Sequence, residues 1–153
     1  MGQTAQPFDD AVLRAAGVLG LFGIALIHFL DVFGKFSETP YLGVAYVFLM
    51  AMSVGAALRL VHSHSTAAWV LAGTVAALTI LGYVLSRTTG LPGATDDIGN
   101  WEEPLGLASL FVEGAVVVLS AYALALRAPR TSGRARGRVA PIRRAYAVSA
   151  VER

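Results

Sequence analysis

Apolar residues in this chain do not alternate with polar ones; they run on. Four stretches, approximately 12–34, 41–61, 66–86 and 105–126, are almost unbroken by charge. A hydrocarbon core about 30 Å thick takes about 20 helical residues to cross, and each stretch is long enough. Inside lipid every backbone polar group must bond within its own segment, so runs of this length read as helices. The pattern predicts an all-α, integral membrane four-helix up-down bundle over residues 1–127, surrounded mainly by lipid bilayer.

The connections shape the bundle. Residues 35–40 and 62–65 leave room only for tight antiparallel hairpins, whereas 87–104 is long for so small a protein. Gly90-Leu91-Pro92-Gly93 in that third loop reads as a turn. The loop is acidic, with Asp96, Asp97, Glu102 and Glu103, and Trp101 suits the headgroup belt. A functional loop and a merely solvated one fit the residues equally. Glu38-Thr39-Pro40-Tyr41-Leu42-Gly43 is echoed by Glu102-Glu103-Pro104-Leu105-Gly106. Both read as helix starts, with proline in the first turn and acid at the positive end of the helix dipole.

Charge then orients the bundle. Ten of the 12 basic residues lie in the N-tail, the second loop and the C-tail, while Lys35 and Arg87 stand on the other side. The positive-inside rule puts both termini in the cytoplasm and predicts a multi-pass protein of the cell (plasma) membrane. The first stretch reads as a retained span, because no basic residue precedes it and it is too long for a signal-peptide core. Gly2 lacks the Ser or Thr of a myristoylation site, since Gln6 stands there. Residues 128–153 form an Arg-rich tail, expected to be disordered and to lie on anionic lipid. Without aromatic interleaving or a recognised motif, the tail is not read as binding nucleic acid.

Composition narrows the chemistry. Of 153 residues 56% are hydrophobic and 14% charged, against about 25% charged in soluble domains. That leaves no room for a separate soluble domain. The absence of cysteine excludes disulfides, thiolate zinc sites, iron–sulfur clusters and cysteine nucleophiles. The heavy use of Ala, Gly and Arg is that of a GC-rich bacterial genome.

The informative residues are the polar ones that lipid should exclude. His28 lies about 9 Å below the outer end of the first helix, with Asp31 nearer the surface. Glu113 lies about 12 Å into the fourth helix. Tyr46 and Tyr83 fall in the same layer, and Arg87 caps the third helix above it. His28 and Asp31, three apart, share a face. Gly106, Ser109, Glu113 and Ser120 form a stripe, as do Tyr46, Met50 and Ser53, and Thr79, Tyr83 and Ser86. Small and polar stripes mark helix contacts in membranes, so the four can meet on one axis. A carboxylate in hydrocarbon costs several kcal/mol unless paired, neutral or wetted. Glu113 is therefore expected to pair with His28 or Arg87, or to hold a proton.

His28, Asp31, Glu113, Tyr46, Tyr83 and Arg87 make a candidate site for a proton, an ion or a small ligand. The rival reading is a polar clamp that only sets helix register. One imidazole and two carboxylates, His28, Asp31 and Glu113, are weak candidates for a metal site. No second histidine shares the depth of His28, so a bis-histidine haem within one chain is not expected. His62 and His64 read as a solvated pair at the inner surface. No Ser/His/Asp order supports hydrolysis and no glycine loop cradles phosphate. The expectation is a non-enzymatic membrane component, an accessory subunit with a membrane-protein partner or a homo-oligomer. Its alternatives are a redox protein using quinone or haem and a purely structural subunit.

Leu85-Ser86-Arg87-Thr88-Thr89-Gly90-Leu91-Pro92-Gly93, then Asp97-Ile98-Gly99-Asn100-Trp101-Glu102-Glu103-Pro104-Leu105-Gly106 and Ser109-Leu110-Phe111-Val112-Glu113-Gly114, resembles a pattern in small uncharacterised four-helix integral membrane proteins of actinobacterial type. The resemblance implies the helical membrane class and supplies no catalytic residue or cofactor. It draws the third loop and Glu113 together.

Overall fold

The computed structural model describes residues 5–128 and contains four helices. They are α1 (Ala5–Glu38), α2 (Pro40–His62), α3 (Thr66–Thr88) and α4 (Pro104–Arg127). Each includes a segment long and apolar enough to cross a membrane. The tail from residue 129 onward, with its expected disorder and lipid contact, lies outside the described residues. Successive helices run antiparallel and pack as neighbours, and α4 closes the ring against α1. Of the diagonal pairs, only α1 and α3 touch, and slightly.

The helix ends follow from local chemistry. The first connection is tighter than the expected 35–40, because α1 continues through Glu38 and only Thr39 separates it from α2. The Thr39 N–H closes α1 on the Lys35 carbonyl at 2.8 Å, and its own carbonyl receives the Leu42 N–H at 2.9 Å. Pro40 then starts α2 where no N–H is needed. A side chain at Gly43 would meet the Phe36 ring at 2.5 Å, so this hairpin needs a glycine there. Ser65 caps α3 by accepting the Ala68 N–H at 3.3 Å. Gly90 ends α3 in the left-handed region at φ 74°. Glu103 caps α4 on the Gly106 N–H at 3.1 Å.

These ends divide the bundle. We call the one covered by residues 89–103 the loop end, and the one where α1 begins and α4 stops the termini end. The close-packed core belongs mostly to the termini half: Leu21, Ile24, Ala56, Ala57, Leu60, Ala68, Trp69, Ala72, Ala76, Val116 and Ala123. Alanines and glycines let the backbones approach, and large side chains fill what remains. A Cβ at Gly17 would stand 3.0 Å from the Trp69 ring, and one at Gly20 2.5 Å from Val116. Trp69 is the largest side chain fully enclosed, at 1% exposure.

Candidate functional site

Toward the loop end the helices stop filling the axis. A cavity of about 660 Å³ opens there, a size that suits drug-sized ligands. It brings together all six residues of the candidate site: His28, Asp31, Tyr46, Tyr83, Arg87 and Glu113. Their helix faces agree with the stripes read from the sequence. On α4, Gly106, Ser109, Glu113 and Ser120 are all buried. Ser53 on α2 and Ser86 on α3 are buried too, each on its own stripe.

The roof of the cavity is ionic. The Arg87 side chain is 6% exposed and donates to Asp97 at 2.8 Å and Glu103 at 3.2 Å. Its guanidinium lies 4.9 Å from the centre of the Tyr83 ring. Lys35 reaches Glu38 at 2.9 Å and Asp97 at 3.7 Å. The loop is tied down at further points. Tyr83 donates to the Trp101 carbonyl at 3.3 Å, and the two rings stand edge to face. Tyr41 donates to the Pro92 carbonyl at 2.7 Å, and the Gly99 N–H to the Arg87 carbonyl at 2.9 Å. Asp97 and Glu103 therefore act inward, whereas Asp96 and Glu102 are exposed and Trp101 offers the loop a partly exposed ring.

Beneath the roof, the expected pairing of Glu113 with His28 or Arg87 does not occur. Arg87 is already held by the loop carboxylates at the cavity mouth. His28 turns Nδ1 to the Ile24 carbonyl one turn back, at 2.9 Å. A carbonyl only accepts, so Nδ1 carries the hydrogen, and a neutral ring then leaves Nε2 as an acceptor. The ring meets Tyr46 edge to face at 4.7 Å. Glu113 is 0% exposed. Its Oε1 accepts from Ser109, and its Oε2 has no partner among the described residues. Asp31 makes no ion pair within 4.0 Å among the described residues.

Among the described residues no three of His, Cys, Asp and Glu gather closely enough to hold an ion, so His28, Asp31 and Glu113 do not form a three-ligand centre. His28, in the cavity, also stands apart from His62 and His64 at the termini end.

At that other end the structure assembles a cluster that the linear pattern concealed. Asp10 pairs with Arg127, across 117 positions of sequence, and lies 3.2 Å from His64. Arg14 donates to the Leu60 carbonyl at 2.9 Å and to the Val61 carbonyl, satisfying groups at the end of α2. Arg127 also lies 5.8 Å from the Trp69 ring centre. His64, read as solvated, is indeed exposed but lies against Asp10 and Arg14. Only the placement of α1 beside α2 and α4 could reveal these contacts.

No protein-family model, curated protein or solved structure matches the chain. The functional argument therefore rests on the cavity's own chemistry. It combines a buried, half-partnered carboxyl, a second carboxylate, an imidazole and two phenols with a roof whose cations are already matched.

Proposed function

We propose that this chain is a small multi-pass protein of the cell membrane, non-enzymatic, with both termini cytoplasmic and a ligand site in the outer half of the bundle. The four apolar helices and the concentration of arginine beside the termini support that placement. The ligand reading rests on one observation: Glu113 Oε2 is fully enclosed and unpartnered on the wall of a roomy cavity. A register clamp would use both carboxylate oxygens between helices, since an unsatisfied buried group is costly. Glu113 lines the cavity, and an oxygen left there without a protein partner among the described residues suits a visitor to which the wall yields.

The test compares the purified wild type with Glu113→Gln by native mass spectrometry in a mild detergent. The wild type retains a small molecule or ion that the variant loses, while both elute as the same folded species. Equal retention by the two proteins refutes the site.

A further inference from the structure

The cavity has an open side as well as an ionic roof, and its position defines what can enter. On α1 and α4, the wall residues below the roof are all buried or half-buried, among them Ile27, His28, Ser109 and Glu113. On α2 and α3 the wall reaches the surface. Phe48 is 67% exposed and Leu78 61%, and Ala45 and Thr74 are exposed beside them. Phe48 and Leu78 stand eight and ten residues from the loop ends of their helices, about 12–15 Å along the axis. A side chain on Gly82, at the same seam, would meet nothing within 4 Å. The cleft between α2 and α3 therefore faces hydrocarbon at a depth where water does not reach. It lies directly opposite the α1–α4 wall in the ring of helices.

That opposite wall holds two acids that no cation pairs with within 4.0 Å among the described residues, Asp31 and Glu113. Five acidic side chains line the cavity (Asp31, Glu38, Asp97, Glu103 and Glu113) beside two basic ones, Lys35 and Arg87. Glu38, Asp97 and Glu103 match the cations at the roof. Among the described residues Asp31 and Glu113 have no cation within 4.0 Å, and the second nitrogen of a neutral His28 also accepts. Tyr46 adds a π face, which attracts cations, whereas the Tyr83 ring already carries the Arg87 guanidinium. The wall asks for positive charge, and the portal admits only what dissolves in lipid.

We propose that the ligand is a lipophilic organic cation, which passes sideways between α2 and α3 and seats its charge against Glu113 and Asp31. This rests on the site proposed above and names its ligand class. Apolar groups of the ligand lie among Phe48, Leu49, Met52, Leu71 and Leu78, while the charge crosses to the far wall.

The experiment uses the full chain in nanodiscs of neutral phospholipid, with empty nanodiscs as the control for partitioning. Three hydrophobic probes are titrated by calorimetry: tetraphenylphosphonium, tetraphenylborate of similar shape and opposite charge, and a short-chain benzoquinone as a neutral acceptor. Saturable binding of the phosphonium, at least about tenfold tighter than the borate, is expected. Glu113→Gln and Asp31→Asn each weaken it by about tenfold. Gly82→Phe, placed in open space so that folding survives, abolishes it by filling the cleft. Circular dichroism and a monodisperse elution profile establish that each variant is folded. Phosphonium binding that is unaltered in the Glu113/Asp31 double variant, or equal affinity for the borate, overturns the proposal. If the quinone binds and Glu113→Gln removes it while the phosphonium fails, the site stands and the cation assignment falls. Saturable binding of none of the three overturns the cation assignment; equal native-mass retention by wild type and Glu113→Gln then refutes the site as well.

Discussion

The half of the bundle around Trp69 and the half around Glu113 use the same four helices to opposite ends. Near Trp69, glycines and alanines draw the backbones together and one indole fills the gap. The charged groups there sit at the rim, where Asp10 meets Arg127 and Arg14 meets the last carbonyls of α2, and only the small hydroxyls of Ser53 and Ser120 are buried inside. Near Glu113, polar side chains point to the axis itself, and the helices enclose about 660 Å³ around them. The difference lies in side-chain size: small residues let the helices close around Trp69, while large polar side chains surround the open half. α2 and α3 meet through the short loop at the termini end and leave their seam open toward the loop end.

Mutations can test this division in order of effect. Trp69→Ala should be the most damaging, costing about 3–5 kcal/mol because it empties the packed half. Thermal unfolding in detergent measures it, and a loss below that of any cavity-lining variant would reverse the assignment of the two halves. Arg87→Ala should cost about 2 kcal/mol, since Asp97 and Glu103 lose their cation but remain partly exposed. It should also free the loop, so limited proteolysis within residues 89–103 should accelerate; unchanged cleavage would mean that the ionic roof does not hold the loop.

Two glycines give a sharper contrast. Gly20→Ala puts a methyl 2.5 Å from Val116 and should cost about 1–2 kcal/mol. Glu113→Gln should leave stability within about 1 kcal/mol of wild type, because the amide can still accept from Ser109 and only one carboxylate oxygen has a partner. A large loss there would turn Glu113 into a structural clamp. Gly82→Ala should change stability least, by at most about 0.5 kcal/mol, since the new methyl enters open space. If Gly20→Ala and Gly82→Ala behave alike in a melting experiment, the packing contrast between the halves is lost.

The site was partly legible in the residues. His28, Asp31, Tyr46, Tyr83, Arg87 and Glu113 could be placed together because helical rise converts sequence distance into depth, and helical twist converts spacing into a shared face. Which of them would bond was not legible, because that depends on competing partners. Arg87 is captured by Asp97 and Glu103 from a loop whose path no periodicity encodes. His28 prefers a carbonyl on its own helix, and Glu113 is left with Ser109. Asp10 and Arg127 were invisible as a pair for a similar reason: 117 positions separate them, and only ring closure by α4 against α1 brings them into contact.

Sequence alone determined four helices, their approximate lengths and the faces that carry polar groups, because length, hydropathy and the 3.6-residue period are local properties of a chain. Tertiary structure decided that one half closes and the other stays hollow. It also decided that Glu113 keeps an oxygen without a partner and that the hollow opens between α2 and α3. Those outcomes depend on how far apart neighbouring helices come to rest, a distance set jointly by side chains on all four.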